Sequence, residues 1–353
     1  MQEVLSSIAD MQSLKRINGQ HLAWRWCAGW GVCLLLAGAV SGTQAAPELV
    51  IRLSQVVAPD TPKGRMALQF QSLVEQRSNG RLRVEVYPDS QLYGDDDEME
   101  ALQLGAVEIL APSLSKFGSA GISEFEVFDL PFLFTDLAQV RCVTQGPIGQ
   151  QLLHRLSRQQ MVGLGFLDNG FKQMSAGKPL QQTQDFKGLR LRVQASRTLA
   201  AQMRSLGALP VVMPFSDTQR ALATGIIDGA ENPLSNFLTQ GLATVQRALT
   251  LTDHGYLGYA VVSNPRFWAS LNKADQMLLS QALKEALTEG NRLAARMNQQ
   301  ALISLAQLQG VAVSRLSSTQ RVALRQAVQP VYDDMARRGG ARLLSQVQRD
   351  CLR

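Results

Sequence analysis

The chemistry this chain offers is cationic and polar, and it falls at the ends of expected strands. Lys172 follows Asn169-Gly170, Arg190 and Arg192 alternate in "GLRLRV", and Asn232 lies in "DGAENP". A strand's period of two puts both arginines on one face and Leu189, Leu191 and Val193 on the other. A guanidinium is a planar fork that meets a carboxylate through two parallel hydrogen bonds. Two cations at strand ends therefore suit a ligand with two carboxylates, while a surface charge pair is the plainer use of any one of them. Enzyme motifs are missing from the sequence: it has no GxSxG elbow, no HExxH, no phosphate-binding GxxxxGKS or GxxxxGKT, and no GxGxxG after a strand. His254 stands beside Asp253, but neighbours in a strand point to opposite faces, so a hydrogen-bonded structural histidine is expected rather than half of a triad. "GDDDEME" lacks the ligand order of a calcium loop, and Asp95, Asp96 and Asp97 read as acidic residues favoured at a helix N-terminus. No Cys/His metal spacing occurs, and neither a metal nor a cofactor is expected.

Local patterns mark the elements that must hold these side chains. "ELVIRLSQVV" reads as a strand and "APDTPKG" as a turn, with Thr61 as N-cap, Pro62 at the first helical position and Asn79-Gly80 as the stop. An alternating strand "RLRVEVYP", a helix "DDDEMEALQLG" and the apolar run "AVEILAP" follow. This alternation predicts an α/β domain with a mainly parallel sheet. A second series starts near Met161, with strands "VGLGFLD", "GLRLRVQ" and "ALPVVMP" and a helix from about Ser196 to Leu206. From Lys273 to Gln309 there is no proline and one glycine, Gly290. One helix there would reach roughly 50 Å at about 1.5 Å per residue, longer than one domain is wide, and would bridge two lobes. Two helices broken at Gly290 are the alternative. No floppy linker separates the lobes, so strand-like crossings are expected to join them.

Composition sets the outer bounds. The 353 residues are 45% hydrophobic and 18% charged, which suits a globular chain of about two domains. The 35 Lys and Arg are interspersed with 29 Asp and Glu and form no nucleic-acid-binding pattern. An anionic small ligand fits the modest positive excess better than nucleic acid does. One segment is membrane-directed, Cys27 to Val40, with Lys15, Arg16 and Arg25 before it and "SGTQAAPE" after it. That order predicts a secretory signal peptide over residues 1–45, whereas a retained anchor would want ~20 apolar residues. Translation from Met11 would give the same leader a shorter basic region. Cleavage leaves a net charge of +5 on 308 residues, with Cys142 and Cys351 as the cysteines. An oxidising compartment permits a bond between them, and two independent thiols are the plainer reading.

Taken in order, "DFKGLRLRV", "LGALPVVMPFSDTQRALATGIIDGAENP" and "HGYLGYAVVSN" resemble the DctP-like solute-binding proteins of TRAP transporters. "SQVVAPDTPKG", "YPDSQLYGDDDEMEALQLGAVEILAPSLSKFG" and "FEVFDLPFLF" are similar to the branch that binds four-carbon dicarboxylates, and the likeness spans about residues 48 to 350. The resemblance implies a periplasmic-binding-protein-like α/β fold: two α/β lobes around a ligand cleft, with a long helix spanning both. It implies one lobe from residues 46–169 with 258–297 and another from 170–257 with 298–353. It places the carboxylate-clamping arginine on Arg192, a second cation on Lys172 and a ligand-contacting asparagine on Asn232. First-lobe contributions fall on Ser54, Lys63, Ser113 and Lys116. Relatives with "SHVV" near the N-terminus carry a histidine where this chain has Gln55, which cannot hold a charge. The function implied is a periplasmic receptor that captures succinate, malate or fumarate, closes at a hinge and delivers it to membrane subunits of a TRAP permease. A sensing module that presents its ligand to a membrane receptor kinase is the alternative. A secreted enzyme is disfavoured by the missing motifs.

Overall fold

A computed structural model describes residues 47–352; the leader expected over residues 1–45 lies outside them. Nine strands form one mixed sheet: β1 (Leu49–Ser54), β2 (Leu82–Tyr87), β3 (Ile109–Leu110), β4 (Val162–Ala176), β5 (Arg190–Val193), β6 (Leu209–Val212), β7 (Gly229–Asn232), β8 (Ala248–Ser263) and β9 (Ala312–Arg315). Their order is β2-β1-β3-β8-β4-β7-β5-β6, with β9 on the free edge of β8. The outer trios are the parallel units the strand–helix alternation predicts, β2-β1-β3 at one end and β7-β5-β6 at the other. The centre differs from a parallel sheet. β4 and β8 run 15 and 16 residues and pair antiparallel, because one carries the chain across the molecule and the other brings it back. Register shifts between Asp168 and Gly170 and between Lys172 and Met174 bend this central pair. Lys172 therefore sits inside a long bulged strand rather than just beyond a short one.

The segment after Asn272 is one unbroken helix, Lys273–Gln307, whose Asn272 cap accepts a hydrogen bond from the Asp275 amide at 2.9 Å. Leu279, Ala282, Leu283, Ala286, Leu287, Ala294, Ala301 and Leu305 form its buried stripe. Gly290 does not break it. A Cβ there would lie 2.8 Å from Leu167 Cδ1 and 3.1 Å from Met66, so glycine lets the helix approach β4 and the helix Pro62–Arg77 closely. Asn291 and Asn298, two turns apart on one face, tie the helix to β4. Asn291 Oδ1 accepts from the Asp168 amide at 2.7 Å, and Asn298 Nδ2 donates to the Asn169 carbonyl at 2.7 Å. No helix of the described residues is long and apolar enough to cross a membrane.

The cysteine alternative resolves to a disulfide. Cys142, in the helix Leu137–Gln145, is bonded to Cys351 at the end of the helix Ala341–Cys351. Val140, Val143, Leu344 and Val347 are buried in the same apolar cluster beside it.

Candidate functional site

Between the two parallel trios lies a small, narrow cavity, with about 20 Å³ open to the centre of a water-sized sphere. Five of the seven expected site residues line it: Lys63, Ser113, Lys172, Arg192 and Asn232. Ser54 and Lys116 do not. Ser54 is wholly buried where β1 is flanked by β2 and β3, and Lys116 stands one layer behind the cavity wall. Gln55, the departure from the histidine-bearing relatives, is also wholly buried and does not line the cavity.

Arg192 is held at the end of β5. Its Nε and Nη2 donate to the Met213 carbonyl at 3.1 and 3.0 Å, and the guanidinium lies 5.4 Å from the Phe215 ring centroid. Among the described residues Nη1 makes no hydrogen bond, and no carboxylate is paired with this arginine. It is 3% exposed, and burial pushes its pKa down against the pull of Asp95 and Glu231. Arg190 shares the strand face but not the fate. It is exposed and forks onto Asp228, with Nε and Nη2 at 3.1 and 2.8 Å from the two carboxylate oxygens.

Lys63 comes from the first turn of the helix Pro62–Arg77, started by Thr61, whose Oγ1 accepts from the Gly64 amide at 3.1 Å. The turn before it folds so tightly over this helix that a Cβ on residue 64 would lie 2.4 Å from the Ala58 carbonyl oxygen, which requires Gly64. Lys63 Nζ donates to the Ala111 carbonyl at 3.1 Å and sits 4.3 Å from the Tyr259 ring centroid. Burial pushes Lys63 down to about 8, although Glu98 and Asp95 pull the other way.

The remaining cations are committed. Lys172 Nζ is 2.6 Å from Glu231 Oε1, and Glu231 Oε2 is 2.8 Å from His254 Nε2. Burial alone would raise the Glu231 carboxyl, but Lys172 and the His254 ring hold it down at about 2. His254 Nδ1 lies 2.7 Å from Thr252 Oγ1, so this histidine is the buried, hydrogen-bonded residue expected from its strand position. Lys116 pairs with Asp95 at 2.6 Å and with Glu98, and these carboxylates hold its pKa up despite burial. The acidic run is therefore more than a helix-terminal charge. Asp97 accepts from the Gly94 amide at 2.6 Å, while Asp95 joins the wall and accepts from the Phe215 amide at 2.6 Å.

Asn232 ends β7, 4% exposed, and among the described residues its Nδ2 has no partner. Asn169 Nδ2 donates to Asn236 Oδ1 at 2.9 Å and to the Tyr259 hydroxyl at 2.8 Å, bracing the wall behind it. Asp95, Glu98, Gln194, Glu231 and Tyr259 line the cavity without having been singled out in the sequence. Gln194 carried a signal: it lies two residues past Arg192, on the same face. The others come from distant parts of the chain and carried none.

A family model described as bacterial extracellular solute-binding protein, family 7 (DctP), matches residues 53–338. The chain is 47% identical over 313 residues to the C4-dicarboxylate-binding periplasmic protein DctP of Rhodobacter capsulatus, across 89% of this chain and 94% of that protein. Its fold is similar, with a TM-score of 0.83, to a TRAP periplasmic solute-binding protein of Shewanella oneidensis with bound succinate; identity is 42%, across 86% of this chain and 98% of that one. A TRAP periplasmic solute-binding protein of Pseudomonas aeruginosa with bound L-malate is similar at a TM-score of 0.78 and 37% identity, across 81% and 99% of the two chains.

Proposed function

Because the chain belongs to the DctP family, bacterial extracellular solute-binding protein family 7, we propose that it is a periplasmic receptor that captures a four-carbon dicarboxylate and delivers it to the membrane subunits of a TRAP transporter. The fold is the two-lobe periplasmic-binding architecture of its structural neighbours. We assign residues 46–169 with 258–297 to one lobe and 170–257 with 298–353 to the other, with β4, β8 and the long helix as the crossings. The comparisons lend nothing to presentation of the ligand to a receptor kinase.

One observation carries the reading. Of the cations lining the cavity, Lys63 and Arg192 alone among the described residues have no carboxylate partner. Lys116 meets two carboxylates and Lys172 one, so these four cations face three carboxylates; the net positive charge favours an anion, and the two uncommitted cations offer a separate donor to each end of a diacid. In this reading one ligand carboxylate meets Arg192 through Nη1 and the other meets Lys63, while Asn232 Nδ2 donates to the first. Lys172, the second cation nominated by the resemblance, supports the site by neutralising Glu231. Closure of the lobes excludes water, and the lower effective dielectric strengthens both ion pairs. The ligand is bound and released unchanged, and no residue is assigned a catalytic role.

Isothermal titration of the purified protein with succinate, malate and fumarate tests the function, and saturating ligand is expected to lower the radius of gyration in small-angle scattering. Absence of heat with all three diacids would refute it. A pH dependence follows from Lys63. Below pH about 8 the free protein already carries the ammonium the ligand needs. Above it the amine is neutral, and binding a dianion must take up a proton, so affinity should fall toward tenfold per pH unit. Titrations between pH 7 and 10 check this. A flat profile, or one that persists in Lys63→Met, would remove Lys63 from the carboxylate site.

A further inference from the structure

Resting on the dicarboxylate reading, we propose that the receptor selects a hydroxylated four-carbon diacid and that Gln194 reads the hydroxyl. A succinate dianion brings acceptors only, which suits Arg192, Lys63 and the unpartnered Asn232 Nδ2. Among the described residues two oxygens in the cavity wall are unpartnered as well, Gln194 Oε1 and Glu98 Oε2. Glu98 is 1% exposed, and its other oxygen is held by Lys116. The Gln194 amide nitrogen donates to Ser113 Oγ at 3.0 Å, which leaves the amide oxygen as the free end. A buried acceptor without a donor is costly, and a ligand that carries only acceptors leaves that cost in place.

The ligand must therefore bring a donor, either a hydroxyl or an ammonium. An ammonium would meet four cations, Lys63, Lys116, Lys172 and Arg192, against three carboxylates, Asp95, Glu98 and Glu231, whereas a hydroxyl donates without adding to that positive surplus. The strand geometry says where it falls. Gln194 follows Arg192 by two residues, just past the end of β5, and lines the same cavity as Arg192 and Asn232. A guanidinium that holds a carboxylate thus has the Gln194 amide in the same stretch of cavity wall. In a 2-hydroxy diacid the carbon next to that carboxylate bears the hydroxyl. Malate is the simplest such ligand.

Isothermal titration with succinate, L-malate, D-malate and L-aspartate tests the selection. One malate enantiomer should bind at least about tenfold more tightly than succinate, and aspartate more weakly than succinate. In Gln194→Leu the malate-to-succinate ratio should fall to within about threefold. The ratio is the readout because any general damage to the cavity cancels in it. If succinate binds the unaltered protein as tightly as both malates do, hydroxyl selection is wrong while the dicarboxylate reading stands. A ratio that survives in Gln194→Leu removes Gln194 as the reader. If no diacid binds at all, the dicarboxylate reading itself has failed.

Discussion

Arg192→Ala should weaken diacid binding at least about a hundredfold, whereas Arg190→Ala should change it by less than about tenfold. The two side chains leave the same strand face two residues apart, so the difference lies wholly in what surrounds them. Arg192 is buried, lines the cavity and lends its Nε and Nη2 to a backbone carbonyl, which fixes the fork and leaves Nη1 for a ligand. A hydrogen bond to a charged group contributes about 1.5–3 kcal/mol, and truncating one partner of a buried ion pair adds the desolvation of the charge left behind. A hundredfold loss corresponds to about 2.7 kcal/mol, the lower end of that sum. Removing this cation also strips compensation from Asp95 and Glu231, both of which it attracts. Arg192→Lys should recover only part of the affinity, because a point charge cannot use the Met213 carbonyl and the ligand with one planar group. Arg190 is exposed and already satisfied by Asp228 and the Gly225 carbonyl. Titration of variants with unchanged circular dichroism and melting behaviour reads all three. If Arg190→Ala abolishes binding and Arg192→Ala preserves it, the clamp is misassigned.

That contrast also marks how far the sequence could be read. Features set by neighbours in the chain were legible: the Thr61 cap, Pro62 at the first helical turn, the uninterrupted helix after Asn272, and the shared face of Arg190 and Arg192. Each follows from local geometry or a hydrophobic period. The commitment of each charge was not legible, because it depends on residues brought together from afar. Lys172 meets Glu231 across 59 positions, and Lys116 meets Glu98 across 18. Nothing in "GAEN" marks its glutamate as the partner of one particular lysine. The resemblance nominated seven residues, five of which line the cavity, but it could not separate an uncommitted cation from one neutralising a wall carboxylate. The antiparallel central strands were hidden for a related reason. Their apolar runs look alike in either direction, and only the path of the chain between the lobes decides.

Loss of the Cys142–Cys351 bond should cost several kcal/mol of stability while leaving the ligand's own stabilising increment intact. The bond closes a loop of 209 positions, for which chain entropy gives roughly 5 kcal/mol, and native disulfides typically contribute about 2–5. It pins the helix Ala341–Cys351 against the helix Leu137–Gln145. Next to Cys142, Arg141 Nε donates to Asp168 Oδ2 on β4 at 2.8 Å and Nη2 to the Asn291 carbonyl of the long helix at 3.3 Å. The staple thus secures the scaffold where central strand and long helix meet, and neither cysteine lines the cavity. Equilibrium unfolding in urea should show a lower midpoint for Cys142→Ser/Cys351→Ser than for the oxidised protein. Reductant should lower the parent protein to the same midpoint and leave the variant unmoved. Diacid at about a hundred times Kd should add roughly 2.7 kcal/mol to each form, provided the cavity is the same in both. A double variant within about 0.5 kcal/mol of the parent would show that the bond does not support the fold. A smaller ligand increment in the reduced protein would mean that the staple also shapes the cavity, through Arg141 and the Asp168 end of β4.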